Sequence, residues 1–338
     1  MRCKSRFRVA AMSSNAIGVD IGGTKVAAGL VDAQGRVLSR AEFPMYVSGS
    51  AQQAMDCVHS AIRAVMNGLP DDVSTIGVAS PGPLALPEGV VVYSPNLPCW
   101  HNFRLGDAIR AEYKITTIID NDANAAGLAE ALWGAGAGYD SIFCATIGTG
   151  IGTAIVLNKK LYYGHTAIGP EGGHMTIDIN APCHCECGKR GCLEGMASGP
   201  SMARRARERI EATKNHNAAL WGTDLAEINP RTIAAAWRAG DPIATDILRE
   251  TADLYAVWLG NVIDLIEPAA IVIGGGLSGL FSEWFDYISK KLPSCSIVPG
   301  AGQIPLLRAK FGADAGIVGA AALCHRRSPG TSAVRDTQ

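Results

Sequence analysis

The 338-residue sequence predicts an α/β protein of two domains laid out to a similar plan. Three observations lead there. Two strand–turn–strand patterns with a glycine–threonine bend lie far apart in the chain, and a third apolar strand runs into a glycine triplet. The length itself allows for roughly two domains with a sizeable core. Apolar residues make up 48% and charged residues 18%, the balance of a folded globular chain. A net charge of −1 supplies no general field for nucleic acid or anionic membranes. No apolar run approaches the ~18 residues that a membrane span needs.

Taken in order, residues 1–15 (MRCKSRFRVAAMSSN) carry four basic residues and no acidic one, without the apolar stretch of a secretory signal. A disordered tail is expected; a targeting remnant or a true start at Met12 are the alternatives. Residues 16–40 then read as strand Ile17–Asp20, turn Gly22-Gly23-Thr24, strand Lys25–Asp32, and a second turn at Asp32-Ala33-Gln34-Gly35 into a third strand. The same grammar returns in SIFCATIGTGIGTAIVLNKKLYY (141–163), with Gly148-Thr149-Gly150 at the first bend. Glycine lets backbone amides approach a phosphate closely, and a threonine hydroxyl adds a donor. Each turn alone is equally well a plain hairpin; the matched pair favours phosphate. Between them, IIDNDANAAGLAEALWG joins a buried strand to an alanine-rich helix, and Asp122 there suits either an N-cap or a functional carboxylate.

Ten cysteines are divided unevenly. Six are dispersed and read as buried thiols in a reducing cytoplasm, whereas CHCECGKRGC (183–192) bunches four with a histidine. GPSMARRARERIEATK (199–214) reads as a helix with Ser201 as its cap and a solvated basic face. Asp241-Pro242 opens a long helix to about Ile266, with Ile243, Ile247, Leu254, Trp258 and Leu265 on a core or dimer face. AAIVIGGGLSG (269–279) lacks both the Gly-Lys-Ser/Thr ending of Walker A and the downstream acid of a dinucleotide fold. By itself it is a strand-to-helix turn.

DIGGTK, SPGPL (80–84), SPNLPCW (94–100), DNDANAAGLAE (120–130), IGTGIG, PEGGHMTID (170–178), CECGKRGCLEGMASG (185–199) and IVIGGGLS together resemble the ROK family of sugar kinases, in order, over about Ile17–Leu323. The resemblance implies the actin-like ATPase (ribonuclease H-like) fold, two α/β domains flanking a nucleotide cleft. One domain would hold residues 16–122 plus 317–327, the other 123–316, with 328–338 as a disordered tail. It further implies ATP with its phosphates at Gly22, Gly23, Thr24, Lys25, Gly148, Thr149 and Gly150 and its adenosine near Gly274, Gly275 and Gly276. Asp20 would partner Mg²⁺, a fitting task for a carboxylate beside phosphates. Asp122 would be the general base toward the sugar hydroxyl, and Gly82, Asn96, Asn121, Asp122, Glu171, His174 and Glu194 the sugar-facing set.

The same resemblance assigns His174, Cys185, Cys187 and Cys192 to Zn²⁺. Four protein ligands close a tetrahedral site, so this zinc is expected to be structural. The His174–Cys185 interval is one residue longer than the family pattern, and Cys183 is an extra thiol, expected to be a bystander. The implied activity is ATP-dependent phosphorylation of a hexose, glucose first, at the 6-hydroxyl; N-acetylmannosamine or N-acetylglucosamine kinase is the near rival. A ROK sugar-responsive regulator needs a DNA-binding module ahead of the first motif, where only 19 residues precede Asp20. A zinc hydrolase needs an open coordination position. A cytoplasmic homodimer or larger homo-oligomer, without nucleic-acid or membrane partners, completes the expectation.

Overall fold

The computed structural model describes residues 15–325 apart from 47, 68–72, 95, 183 and 213–218. Cys183 and nearly all of both expected tails fall outside the described residues. Two compact units result: the described residues of Met1–Ala129 with Ala313–Gln338, and Glu130–Gly312. Their joints lie a few residues from the expected 122/123 and 316/317.

The first unit is built on a five-stranded sheet of order β3-β2-β1-β4-β8. Its strands are β1 (Ala16–Ile21), β2 (Lys25–Val31), β3 (Val37–Pro44), β4 (Thr75–Ser80) and β8 (Thr116–Asn121). The β1–β2–β3 meander is antiparallel, and β4 and β8 continue it in parallel. Helices cover both faces of β1: Ile17, Val19 and Ile21 are buried on one, and Ala16 is buried on the other. On one face lies α1 (Ala51–Met66), started by a Ser50–Gln53 capping box and burying Met55, Val58, Ile62 and Val65. On the other lies the C-terminal helix Ala315–Cys324, whose Ile317, Ala321 and Cys324 pack with Ala16, Ala27 and Val31. A small sheet of β5 (Leu84–Ala85), β6 (Val90–Tyr93) and β7 (His101–Phe103) precedes α2 (Leu105–Tyr113). Directly after β8, α3 (Asp122–Trp133) begins.

The second unit repeats the plan with β9 (Ile142–Ile147), β10 (Ile151–Leu157), β11 (Lys160–Leu161), β12 (Ala270–Gly274) and β13 (Leu306–Arg308), in the order β11-β10-β9-β12-β13. Again an antiparallel meander is extended by parallel strands. Its helical layer includes α4 (Leu193–Ala197), α5 (Gly199–Ala212), α6 (Pro230–Arg238) and α7 (Pro242–Ile266). Asp241 caps α7 through the Ala244 N–H at 2.9 Å, as its Asp-Pro start suggests. Ile243, Ile247 and Trp258 are in the core, but Leu265 is 74% exposed.

The arginine-rich face of α5 departs from expectation. Arg204 donates to the Gly195 carbonyl, Arg207 to those of Leu225 and Ile228, and Arg205 and Arg209 grip Glu250. These half-buried guanidinium groups satisfy backbone carbonyls and the carboxylates of Glu250 and Glu208 within the unit. Ser201 is likewise not the cap: it is buried in the first turn, donating to the Glu194 carbonyl at 2.9 Å.

Candidate active site and metal centre

In the first unit, Asp20 lies near the end of central strand β1, directly before the glycine bend. The bend is closed by the Gly22 N–H donating to the Lys25 carbonyl at 2.9 Å. Thr24 and Lys25 are exposed, and the Lys25 ammonium pairs with Glu42 at 3.0 Å. A side chain on Gly23 would meet the Asn96 carbonyl at 2.9 Å, so Asn96 sits against this turn. Desolvation, then the charge of Asp122, pushes the Asp20 carboxyl up to about 6, with Lys25 and Arg40 opposing. A partly buried carboxylate that resists ionisation beside a second carboxylate is a donor set suited to a hard cation, which would relieve both effects.

What holds Asp20 in place was not visible in sequence. Gly316, in the first turn of the C-terminal helix, has no room for a β-carbon: one there would lie 2.1 Å from the Asp20 carboxyl carbon. The carboxylate therefore rests on bare helix backbone supplied from the other end of the chain.

Asn121 is the cap of α3, its Oδ1 accepting from the N–H groups of Ala123 at 2.9 Å and Asn124 at 3.2 Å. Asp122 is the first helical residue and remains solvent-exposed, accepting from the Ala123 N–H at 2.8 Å. Desolvation by the surrounding protein raises its carboxyl, opposed by hydrogen bonds from backbone N–H groups and the Asn121 side chain. Behind it, fully buried Asp120 accepts from the Asn121 N–H at 2.8 Å and the Asn124 side chain at 3.1 Å. Gly82 lies nearby: its absent β-carbon would be 3.8 Å from Asn121 Nδ2.

In the second unit, the Gly148-Thr149-Gly150 bend is closed by the Gly148 N–H on the Gly150 carbonyl at 2.9 Å. The glycine triplet joins it. The Leu277 N–H donates to the Ile147 carbonyl at 3.0 Å, drawing Gly274, Gly275 and Gly276 to the end of β9. Thr149, Gly275 and Gly276 are exposed, as a surface for a ligand backbone requires.

The same unit brings Glu171, His174, Glu194 and the cysteines together. Residues 175–177 and 191–193 pair through the Leu193 N–H on Met175 at 3.0 Å and the Ile177 N–H on Gly191 at 2.8 Å, holding His174 near Cys192. Gly191 makes this pairing possible: its φ is +59° and a β-carbon would lie 1.6 Å from the Asp178 carbonyl. The ligand atoms of His174, Cys185, Cys187 and Cys192 all lie within 4.8 Å of one another. Cys187 Sγ and Cys192 Sγ are 3.7 Å apart, and Cys185 Sγ is 3.7 Å from His174 Nδ1. A tetrahedron with metal–sulfur bonds of about 2.3 Å has edges of ~3.8 Å, so these two separations are close to those of a zinc site. Burial pushes the thiols of Cys185 and Cys192 up. Three crowded sulfurs need a cation to be held as thiolates together.

His174 can serve both sets to which its sequence position assigns it. Its Nδ1 faces the sulfurs, while Nε2 is 4.0 Å from Glu171 Oε2. Ligation through Nδ1 leaves Nε2 carrying the proton, a donor aimed toward Glu171. Glu194 also bridges two features, accepting from the Ile151 N–H at 2.7 Å at the start of β10 and from Cys185 Sγ at 3.3 Å. Among the described residues no helix is long and apolar enough to cross a membrane.

Similarity to known proteins points to one family. The ROK family model matches residues 16–327. A glucokinase of Streptomyces coelicolor is 33% identical over 320 residues, covering 93% of this chain and 98% of its own. An N-acetyl-D-glucosamine kinase of Salmonella arizonae is 30% identical over 316 residues, covering 90% and 98%. Among solved structures, a ROK family glucokinase from Streptomyces griseus in complex with glucose and AMPPNP shares 34% identity, with a TM-score of 0.77 over 91% of this chain and 98% of that one. The fold is the actin-like ATPase type of the ROK sugar kinases. With doubled meanders, paired glycine bends, a cysteine–histidine knot and a match along nearly its whole length, this chain belongs to the ROK family.

Proposed function

We propose that this ATP-dependent sugar kinase phosphorylates glucose at its 6-hydroxyl, with Asp122 as general base and a structural zinc behind the sugar-facing carboxylates. The observation that carries the reading is the release of Asp122 from capping: Asn121 takes that task, leaving an exposed carboxylate of raised pKa at the head of α3. In the reaction Asp122 accepts the hydroxyl proton as the sugar oxygen bonds to the γ-phosphorus and the bond to ADP breaks. The first unit supplies Asp20, the amides of Gly22, Gly23 and Thr24 with Lys25, and Gly82, Asn96 and Asn121. The second supplies Gly148, Thr149 and Gly150 for phosphate, Gly274–Gly276 for adenosine, and Glu171, His174 and Glu194 for sugar hydroxyls. Magnesium, when bound at Asp20, neutralises phosphate charge. His174, Cys185, Cys187 and Cys192 would hold zinc, whose contribution is rigidity.

Glucose is supported by the S. coelicolor relative and by the glucose-bound S. griseus neighbour. The eight cysteines among the described residues form no disulfide, which supports a reducing cytoplasm as the setting. The test is ADP release measured with glucose, mannose, allose, N-acetylglucosamine and N-acetylmannosamine. Glucose is expected to show the highest kcat/KM; preference for an N-acetylated hexosamine replaces this reading with the rival one. Asp122→Asn should lose roughly 10²–10⁴-fold in kcat and keep sugar binding; near-normal turnover rejects the base. Because the base acts ionised, kcat/KM should fall as pH drops through a pKa above the ordinary aspartate value near 4.

A further inference from the structure

Glu171 lies on an exposed segment, yet the backbone on both sides of it is tied down by one buried side chain. Thr153 is 3% exposed and sits on β10, three residues beyond the glycine bend. Its hydroxyl donates to the Pro170 carbonyl at 2.9 Å and accepts from the Gly172 N–H at 2.8 Å. Those are the residues immediately before and after Glu171. The Gly172 carbonyl is held in turn by the indole N–H of buried Trp258 at 3.0 Å. The His174 N–H closes the short turn on the Glu171 carbonyl at 3.0 Å.

We propose that Thr153 is a positioning residue for sugar binding, the hydroxyl through which strand β10 fixes the placement of Glu171. This rests on the reading of Glu171 as a sugar contact. A threonine hydroxyl offers one donor and accepting lone pairs, and here both functions are spent on the two backbone groups bracketing one functional residue. Valine has nearly the same shape but leaves a carbonyl and an N–H without their partner, so the segment must move to recover hydrogen bonds. A carboxylate displaced by a fraction of an ångström to an ångström loses hydroxyl contacts on the sugar, while the nucleotide contacts of the glycine bends stay as they were.

The experiment compares Thr153→Val, Thr153→Ser, Glu171→Gln and the Val/Gln double variant in full-length enzyme, reading kcat and both KM values with the best hexose of the wild type. Thr153→Val should raise the sugar KM about tenfold, with the ATP KM within about twofold. Serine, which keeps the hydroxyl, should restore it. In the Glu171→Gln background the valine should add almost nothing, because its effect runs through that carboxylate. Should the valine variant fail to fold, Thr153→Ala is read in its place. A sugar KM raised by Glu171→Gln but not by the Thr153 variant overturns the proposal. So does an equal rise in both KM values, or an effect that multiplies fully in the double variant. If Glu171→Gln itself leaves the sugar KM unchanged, the assignment of Glu171 fails and this inference with it.

Discussion

Gly316→Ala offers a sharp probe of the first phosphate site, because the collision it creates is with a single functional group. A β-carbon at this position would lie 2.1 Å from both the carboxyl carbon and Oδ2 of Asp20, and 2.6 Å from Oδ1. Non-bonded carbon contacts are comfortable at about 3.5–4.0 Å, so the carboxylate must retreat by ~1 Å or more. The helix backbone gives way less easily than a side chain, since the C-terminal helix is buried along Ile317–Cys324. A 1 Å error in placing a catalytic group costs on the order of 100-fold in rate. Meanwhile alanine in place of a helical glycine favours the fold by up to ~1 kcal/mol. The expected result is a kcat lowered about 100-fold at saturating Mg·ATP, with Tm unchanged or slightly raised. Coupled ADP release and thermal unfolding measure the two. Wild-type kcat in a folded Gly316→Ala protein would refute the placement of Asp20 argued here.

Two further outcomes follow from the site. Asp20 should cost stability when it ionises: its folded pKa of about 6 lies above the ordinary 3.8, so the folded state holds the proton more tightly and stability is lost as pH rises through 6. Asp20→Asn should therefore gain roughly 1–3 kcal/mol over wild type at pH 8 and much less at pH 4, by urea unfolding without Mg·ATP, while losing activity; a stability gap that does not widen with pH between 4 and 6 contradicts this. Elemental analysis should give one equivalent of zinc in the wild type and none in Cys192→Ser, which should also raise the sugar KM and lower Tm by more than ~5 °C; full zinc content in that variant excludes the ligand set.

Local spacing made much of this molecule readable. The two glycine bends came with strands of alternating or wholly apolar residues, and the turn chemistry dictated hairpins, so β1–β2 and β9–β10 appear where the sequence puts them. Cys185, Cys187 and Cys192 are close in sequence, and short chelating spacings constrain geometry before any tertiary fold is known. What stayed hidden depends on long-range placement. Asp20 and Gly316 meet only because the C-terminal helix returns to β1, and Thr153 reaches residues 170 and 172 across a loop. The arginines of α5 look like a solvated stripe by composition, but their partners are carbonyls and Glu250 from other elements, which periodicity cannot reveal. That Asn121 and not Asp122 caps α3 was not legible in sequence, because Asn and Asp cap almost equally well.

The division of the chain has a consequence for biosynthesis. The second unit is one continuous stretch, whereas the first is completed only when the helix Ala315–Cys324 covers the sheet laid down by the earliest strands. During translation the usual order is therefore reversed: the segment made in the middle can finish folding while the opening strands still wait, one face uncovered, for the helix Ala315–Cys324 to leave the ribosome. A premature stop that removes only the last helix would strand that sheet with its apolar side open, and the truncated product should be cleared or aggregate instead of surviving as a slow kinase.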